Sequence, residues 1–211
     1  MSVDLVNYDL IHEVLQSIRN HPQHHDQSSW IGVKGSSLDQ VENFTIRHKT
    51  IEGVDFLLAE GSCETSACIA GWALLHQGFR ADRPWIGHSS KPEALYQNFV
   101  NEDTLVKSFD IGSEAALQLG IAGEAYDQVF MDMDNKRAVA QLMFLYEKGR
   151  LPSLVAYDDG EEVEDFQPAD DMDFYDRYVF EGQESDDFRD EWYARFEEVF
   201  PYVPEKEPFS G

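Results

Sequence analysis

Basic side chains are scarce in this chain: 16 lysines and arginines in 211 residues, against 41 aspartates and glutamates, for a net charge of −25. A surface this negative repels nucleic-acid phosphates and anionic lipid headgroups. Direct DNA, RNA or membrane binding is therefore not expected, and basic proteins or cations are the natural partners. Cysteine occurs only at Cys63 and Cys68, too little for a disulfide framework, which points to a reducing, cytoplasmic compartment. No run of roughly 18 apolar residues occurs, so no membrane-spanning helix is expected. The opening Met1-Ser2-Val3-Asp4-Leu5 lacks the basic-then-apolar pattern of a secretory leader. A glycine-rich phosphate loop, a Gly-x-Ser-x-Gly elbow and a His-Glu-x-x-His helix are all missing too, and no cofactor is implied.

What the chain has instead is carboxylate and aromatic together. Residues 158–211 hold 20 acids against four bases (Arg177, Arg189, Arg195 and Lys206), whereas residues 1–157 hold 21 acids and 12 bases. The same C-terminal stretch carries 12 aromatics. An acidic tail that only solvates a protein is poor in aromatics, because nothing in it has to be buried. Here Phe174, Tyr175, Tyr178, Phe180, Phe188, Trp192, Tyr193, Phe196 and Phe200 recur among the carboxylates. The segment thus reads as a folded or partner-folding surface with a densely negative exterior. Hydrophobic residues at 42% can supply a real core. The division expected is a helical core over residues 1–150, followed by an acidic segment over 151–211 that packs on the core or meets a partner.

Periodicity predicts a helix over residues 8–20, where Leu10, Ile11, Val14, Leu15 and Ile18 share a face and Asn7 can cap. His21-Pro22 ends it, and residues 21–40 read as a polar loop. Phe44–His48 and Val54–Leu58, around Glu52-Gly53, form a candidate hairpin. Thr65–Gln77 is apolar on most sides and is the expected central helix, with Gly78 placed for a left-handed C-terminal cap. Pro84 and Pro92 bracket an expected loop. Ser113–Leu119, Gly123–Met131 and Asn135–Lys148 follow as helices, and Leu151–Tyr157 reads as a hinge. In the acidic segment, Asp170–Phe180 and Ser185–Phe200 are helix candidates, and Phe188, Trp192, Phe196 and Phe200 recur every four residues as one stripe. The fold class expected is mainly α: a compact helical core with at most a small β-hairpin, plus an acidic, aromatic-rich C-terminal segment of one or two helices.

Local motifs offer little chemistry. Cys63, just before the central helix, stands where a helix dipole lowers a thiol pKa, while Cys68 is expected inside the helix, buried and inert. The plainer reading makes both cysteines small packing residues at a tight loop-to-helix junction. His21, His24, His25 and Asp26, with Cys63, Cys68 and His76, match no strong zinc spacing, so a polar loop after the first helix is expected and no metal site. Asp26-Gln27-Ser28-Ser29-Trp30 reads as a cap and packing anchor, with Trp30 reaching the core. Asp132-Met133-Asp134-Asn135 opens like a calcium loop, but Lys136-Arg137 removes the later oxygen ligands and the glycine. Carboxylate pairs such as Asp132/Asp134 arise readily by chance in so acidic a chain, and no catalytic residue is assigned.

The string Cys63-Glu64-Thr65-Ser66-Ala67-Cys68-Ile69-Ala70-Gly71-Trp72-Ala73 is preceded by Asp26–Trp30 and followed by Ala116–Ile121 and Val129-Phe130. It resembles a family of uncharacterised small proteins of actinobacterial phages and related bacteria that share a Cys-Gly-Thr-x-x-Cys-x-Ala-Gly-Trp motif. The similarity spans roughly residues 8–149, with Glu64 in place of the usual glycine. The resemblance implies a mainly helical domain and a phage origin, and no catalytic residue carries over with it. The acidic segment lies outside the shared region and is this chain's own specialisation.

The leading expectation is a phage-encoded acidic interaction protein acting in the host cytoplasm. It would bind and inhibit a basic, nucleic-acid-binding host or defence protein, by imitating the charge of DNA. The surface expected to carry binding comprises Asp170, Asp171, Asp173, Asp176, Glu184, Asp186, Asp187, Asp190 and Glu191, with Phe188, Trp192 and Phe196 as partner anchors or packing residues. Two alternatives stand beside it: a thiol enzyme using Cys63 with His25 or His76, and a virion accessory protein whose acidity is incidental.

Overall fold

The computed structural model describes residues 6–27, 31–34, 46–51, 54–59, 64–87, 93–101, 104–107, 110–121, 129–130, 134–152, 154–158, 161–162, 178–180 and 183–203. Five α-helices lie within them: α1 (Tyr8–Asn20), α2 (Ile69–His76), α3 (Ile111–Leu119), α4 (Asn135–Lys148) and α5 (Ser185–Val199). The hydrophobic core is mainly helical, as expected. In α1, the Leu10 amide donates to Asn7 Oδ1, and Leu10, Ile11, Val14, Leu15 and Ile18 are buried. Each such side chain contributes about 1.5–3 kcal/mol on leaving water, which outweighs the modest helix propensity of the β-branched ones. Asn7 donates as well, through its backbone to Leu119 O and its side chain to Gln118 O, joining the start of α1 to the end of α3.

The central helix is shorter than its sequence suggests. Glu64–Ala67 is a strand, β4, paired antiparallel with β1 (Ile31–Lys34), and α2 begins only at Ile69. Thr65 and Ser66 are weak helix formers, and the neighbouring strand supplies their backbone partners. Cys68, expected inside the helix, is its N-cap, in extended geometry, with Sγ accepting from the Gly71 amide at 3.4 Å. From Ile69 to Leu75 every residue is buried, Trp72 completely, and Gly78 takes a left-handed φ of +79° after the last turn.

The expected hairpin is present as β2 (Ile46–Ile51) and β3 (Val54–Ala59), in register from Ile46↔Ala59 to Ile51↔Val54. Other strands occupy stretches where no strand was expected. β5 (Arg80–Gly87), β6 (Glu93–Val100) and β7 (Leu105–Lys107) join β1 and β4 in a five-stranded antiparallel sheet ordered β4-β1-β6-β5, with β7 also on β6. Pro84 sits in β5, an edge strand, the place in a sheet where a residue without an N–H is tolerated. β8 (Leu154–Asp158), β9 (Glu161–Glu162), β10 (Tyr178–Phe180) and β11 (Gln183–Glu184) form a smaller sheet ordered β11-β10-β8-β9. The expected hinge at Leu151–Tyr157 is therefore largely strand. The candidate helix Asp170–Phe180 ends as β10, whose Tyr-Val-Phe composition favours a pleated surface.

Trp30 lies outside the described residues, as do residues 123–128 and 131 of the Gly123–Met131 candidate, whose Val129 and Phe130 are helical and buried. α4 matches its expected bounds: Asp134 Oδ1 accepts from the Lys136 and Arg137 amides, and Gly149 closes it at φ +70°. Among the described residues no helix is long and apolar enough to cross a membrane.

Candidate functional site

The apolar stripe of α5 faces inward. Phe188, Phe196 and Phe200 are buried to about 1% exposure, and Trp192 is half-buried. The Phe188 ring lies 5.6 Å from that of Phe144 on α4, and Trp192 meets Phe144 edge-on at 4.7 Å. Phe200 reaches Tyr146 at 5.6 Å and His12 of α1 at 5.0 Å. Phe196 and Phe200 belong to the same hydrophobic cluster as Trp72 and Leu10. Phe188 and Phe196 are thus packing residues that fix α5 to the core, and neither is presented to an outside partner.

Burying one face turns the other to water. Asp186, Asp187, Asp190, Glu191, Glu197 and Glu198 are all exposed. Asp186 and Asp187 sit in the first turn, where the helix dipole favours negative charge. No base lies in the last turn of α5. Arg19 of α1 supplies one, donating from Nε to Phe200 O at 3.0 Å and lying 3.2 Å from Glu197.

Internal bases engage part of this surface. Arg189 pairs with Asp186 and Asp190 at 2.9 Å each and with Asp134 at 3.6 Å, and Arg137 lies 3.5 Å from Asp186. The hydrogen bond from Arg189 holds the Asp190 carboxyl below its usual range and raises Arg189 in turn. Arg195 bridges Glu198 and Glu147 at 2.7 Å each, which raises it further. Burial, then Glu197, pushes the Tyr193 hydroxyl up against the opposing effect of Arg19. Of these pairs, Arg195–Glu147, Arg189–Asp134 and Arg137–Asp186 cross between α5 and α4 or its cap; at the surface they bear on how the two helices align more than on stability. Between the two helices runs a shallow open groove of about 530 Å³, bordered by Glu147, Lys148, Glu191, Trp192, Arg195 and Glu198. The Lys148 ammonium already lies 5.5 Å over the Trp192 ring.

Of the other expected acids, Glu184 lies in β11 opposite Val179, directly before α5. Asp170, Asp171, Asp173 and Asp176 lie outside the described residues, and so does Cys63. Cys68 is described: burial pushes its thiol up to about 12, leaving it protonated and unreactive at neutral pH. His76 is engaged at the α1–α2 contact, Nε2 lying 2.9 Å from Ser17 Oγ and Nδ1 3.5 Å from Glu13. This is the order of a catalytic relay, but Ser17 is 0% exposed, so its hydroxyl is sealed from any substrate and instead ties two helices together.

One polar centre reaches further than the cap role its sequence suggests. Gln27, 4% exposed, accepts from the Ile69 amide and donates from Nε2 to Val129 O, both at 2.8 Å, while its backbone N–H donates to Asn135 Oδ1 at 2.8 Å. A single glutamine thereby closes the start of α2, the 129–130 turn and the start of α4. Its sequence signal is its place inside the cap-like string Asp26–Trp30, which does not name the three segments it joins. Among the described residues no group of three or more His, Cys, Asp or Glu is placed to hold a metal. No family model, curated protein or solved structure matches the chain.

Proposed function

We propose that this is a phage-encoded acidic interaction protein that binds a basic, nucleic-acid-binding host or defence protein in the host cytoplasm and inhibits it by imitating DNA charge. The observation that carries the reading is the two-faced character of α5. Its aromatic stripe is locked into the core, so its outward carboxylates are held on a rigid rod rather than on a flexible tail. A helix rises about 1.5 Å per residue, which puts Asp187 and Glu197 about 15 Å apart along the axis. Along the DNA axis that span equals the rise of roughly four nucleotides of one strand, at about 3.4 Å each. Preorganised charge of this kind speeds encounter with a cationic surface and gives it register. The phage origin rests on the resemblance of residues 8–149 described above.

The test is capture of host proteins on the full chain, followed by elution with duplex DNA. The expected result is a basic nucleic-acid-binding protein that DNA displaces and that 0.5 M salt releases. Its association rate should fall for the triple variant Asp187→Asn, Asp190→Asn, Glu191→Gln. A captured protein indifferent to DNA, to salt and to that variant overturns the reading.

A further inference from the structure

His25 lies in a strap, residues 21–27, that crosses the starts of α2 and α4. Most of the strap's polar groups close on the core. The Asp26 amide donates to Ala67 O at 3.1 Å, Gln27 makes the three bonds given above, and Asn135 Nδ2 donates to His25 O at 3.4 Å. The His25 ring is the exception. The residue as a whole keeps some surface, yet Nδ1 and Nε2 are both buried with no hydrogen-bond partner. Backbone groups of Ala67 and Asn135 approach the ring and favour a proton on it through weak hydrogen-bond contacts, but neither contact satisfies a ring nitrogen, and together they fall short of what burial costs. Leaving two polar atoms unpaired in a buried site is costly, and charging one of them is costlier still.

The charged neighbours do not cancel that penalty. Asp26, on the strap itself, favours a proton on the ring, but less strongly than burial opposes it. On the α2 side the Cys68 thiol is neutral. On the α4 side the Asp134 carboxylate is already engaged by the Lys136 and Arg137 amides, and Asn135 carries no charge. His21 and His24, on the same turn, lie with ring centroids 6.1 Å apart and bring no negative charge.

We propose that His25 is a proton-operated release for the strap: a proton on its ring drives the ring into water and undoes the hydrogen bonds that hold residues 21–27 across the starts of α2 and α4. The sign follows from linkage. Burial lowers the His25 pKa from 6.5 to about 4 in the closed strap, so the open form binds the proton more tightly and gains population as pH falls. With those two values the opening constant rises roughly 30-fold between about pH 7.5 and pH 5. The rest of the molecule responds in the opposite sense, because acid relieves the mutual repulsion of a chain of net charge −25.

Hydrogen exchange on the full chain, normalised for intrinsic rate, reads the opening directly. The Asp26, Gln27 and Ile69 amides should lose roughly 30-fold in protection over that pH range, while the Trp72 and Ala138 amides, bonded within the starts of α2 and α4, hold theirs. In His25→Phe the strap amides should keep their protection. Should that variant not fold, the wild-type imidazole titrated by NMR decides, with an apparent pKa well below 6.5 expected. Unchanged strap protection at pH 5, an equal loss in His25→Phe, or a ring titrating at its ordinary value overturns the proposal.

Discussion

Phe196→Ala tests whether the acidic segment is part of the fold or an attachment to it. Phe196 is 1% exposed and packs within 5.5 Å of Tyr193 and 5.8 Å of Phe200, centroid to centroid. Removing a buried benzyl group forfeits about 150 Å² of apolar burial, or about 4 kcal/mol at about 25 cal/mol/Å². The cavity left behind keeps the figure within the usual range of about 3–5 kcal/mol for Phe→Ala. The assay is urea unfolding followed in parallel by far-UV circular dichroism and tryptophan fluorescence. With a slope of about 2 kcal/mol/M, the midpoint should fall by about 2 M, and both probes should move together. Trp72→Ala, at a fully buried site on α2, sets the benchmark at about 3–5 kcal/mol. If Trp72→Ala lowers the midpoint and Phe196→Ala moves it by less than about 0.5 M, α5 does not belong to the cooperative core. The rigid-rod argument for the acidic face then loses its basis.

Gln27→Ala should cost about 2–4 kcal/mol by chemical denaturation, since it strands the Ile69 amide and the Val129 carbonyl in a buried site. A loss under about 1 kcal/mol would show that other groups replace the glutamine. Gly78→Ala and Gly149→Ala should each cost about 1 kcal/mol, because both sites have left-handed φ. At Gly149 a new Cβ would lie 2.7 Å from the Tyr8 hydroxyl, but Tyr8 is 47% exposed and can swing aside. An extra loss at Gly149 that Tyr8→Phe does not relieve contradicts this. The Cys68 thiol, held protonated by burial, should resist iodoacetamide at pH 8 in the native protein and react in denaturant; peptide mass spectrometry that finds it labelled in the native state refutes its assignment as a buried cap.

Signals confined to one turn of chain were the legible ones. The bounds of α4 and the caps at Asn7 and Gly78 follow from periodicity and local backbone chemistry, which neighbours within four residues decide. The hairpin at 46–59 also announced itself, because its turn is short and its strands alternate or are apolar. The stripe Phe188–Trp192–Phe196–Phe200 forecast a docked helix, and α4 and α1 receive it. The sheets were not legible. β1 owes its strand state to β4 and β6, both far along the chain, and β8 owes its own to β10, so no window of local sequence contains the reason. Pro84 signals a loop in isolation and becomes admissible only because β5 lies at an edge.

Composition and order of residues alone determined that the chain is acidic, that its acids crowd toward the C-terminus, and that aromatics ride among them at helical spacing. Charge and periodicity are sums over residues and need no coordinates. Tertiary structure decided which of those groups face inward. It spent Phe188 and Phe196 on the core, gave Arg189 and Arg195 to neighbouring carboxylates, and left Asp187 and Glu191 at the surface. It also placed Gln27 at the meeting point of three segments and enclosed the His25 ring with no partner. Hydrogen bonding and burial depend on what stands within a few ångströms, and for Gln27 and His25 the deciding neighbours lie about 40 to 110 positions away along the chain.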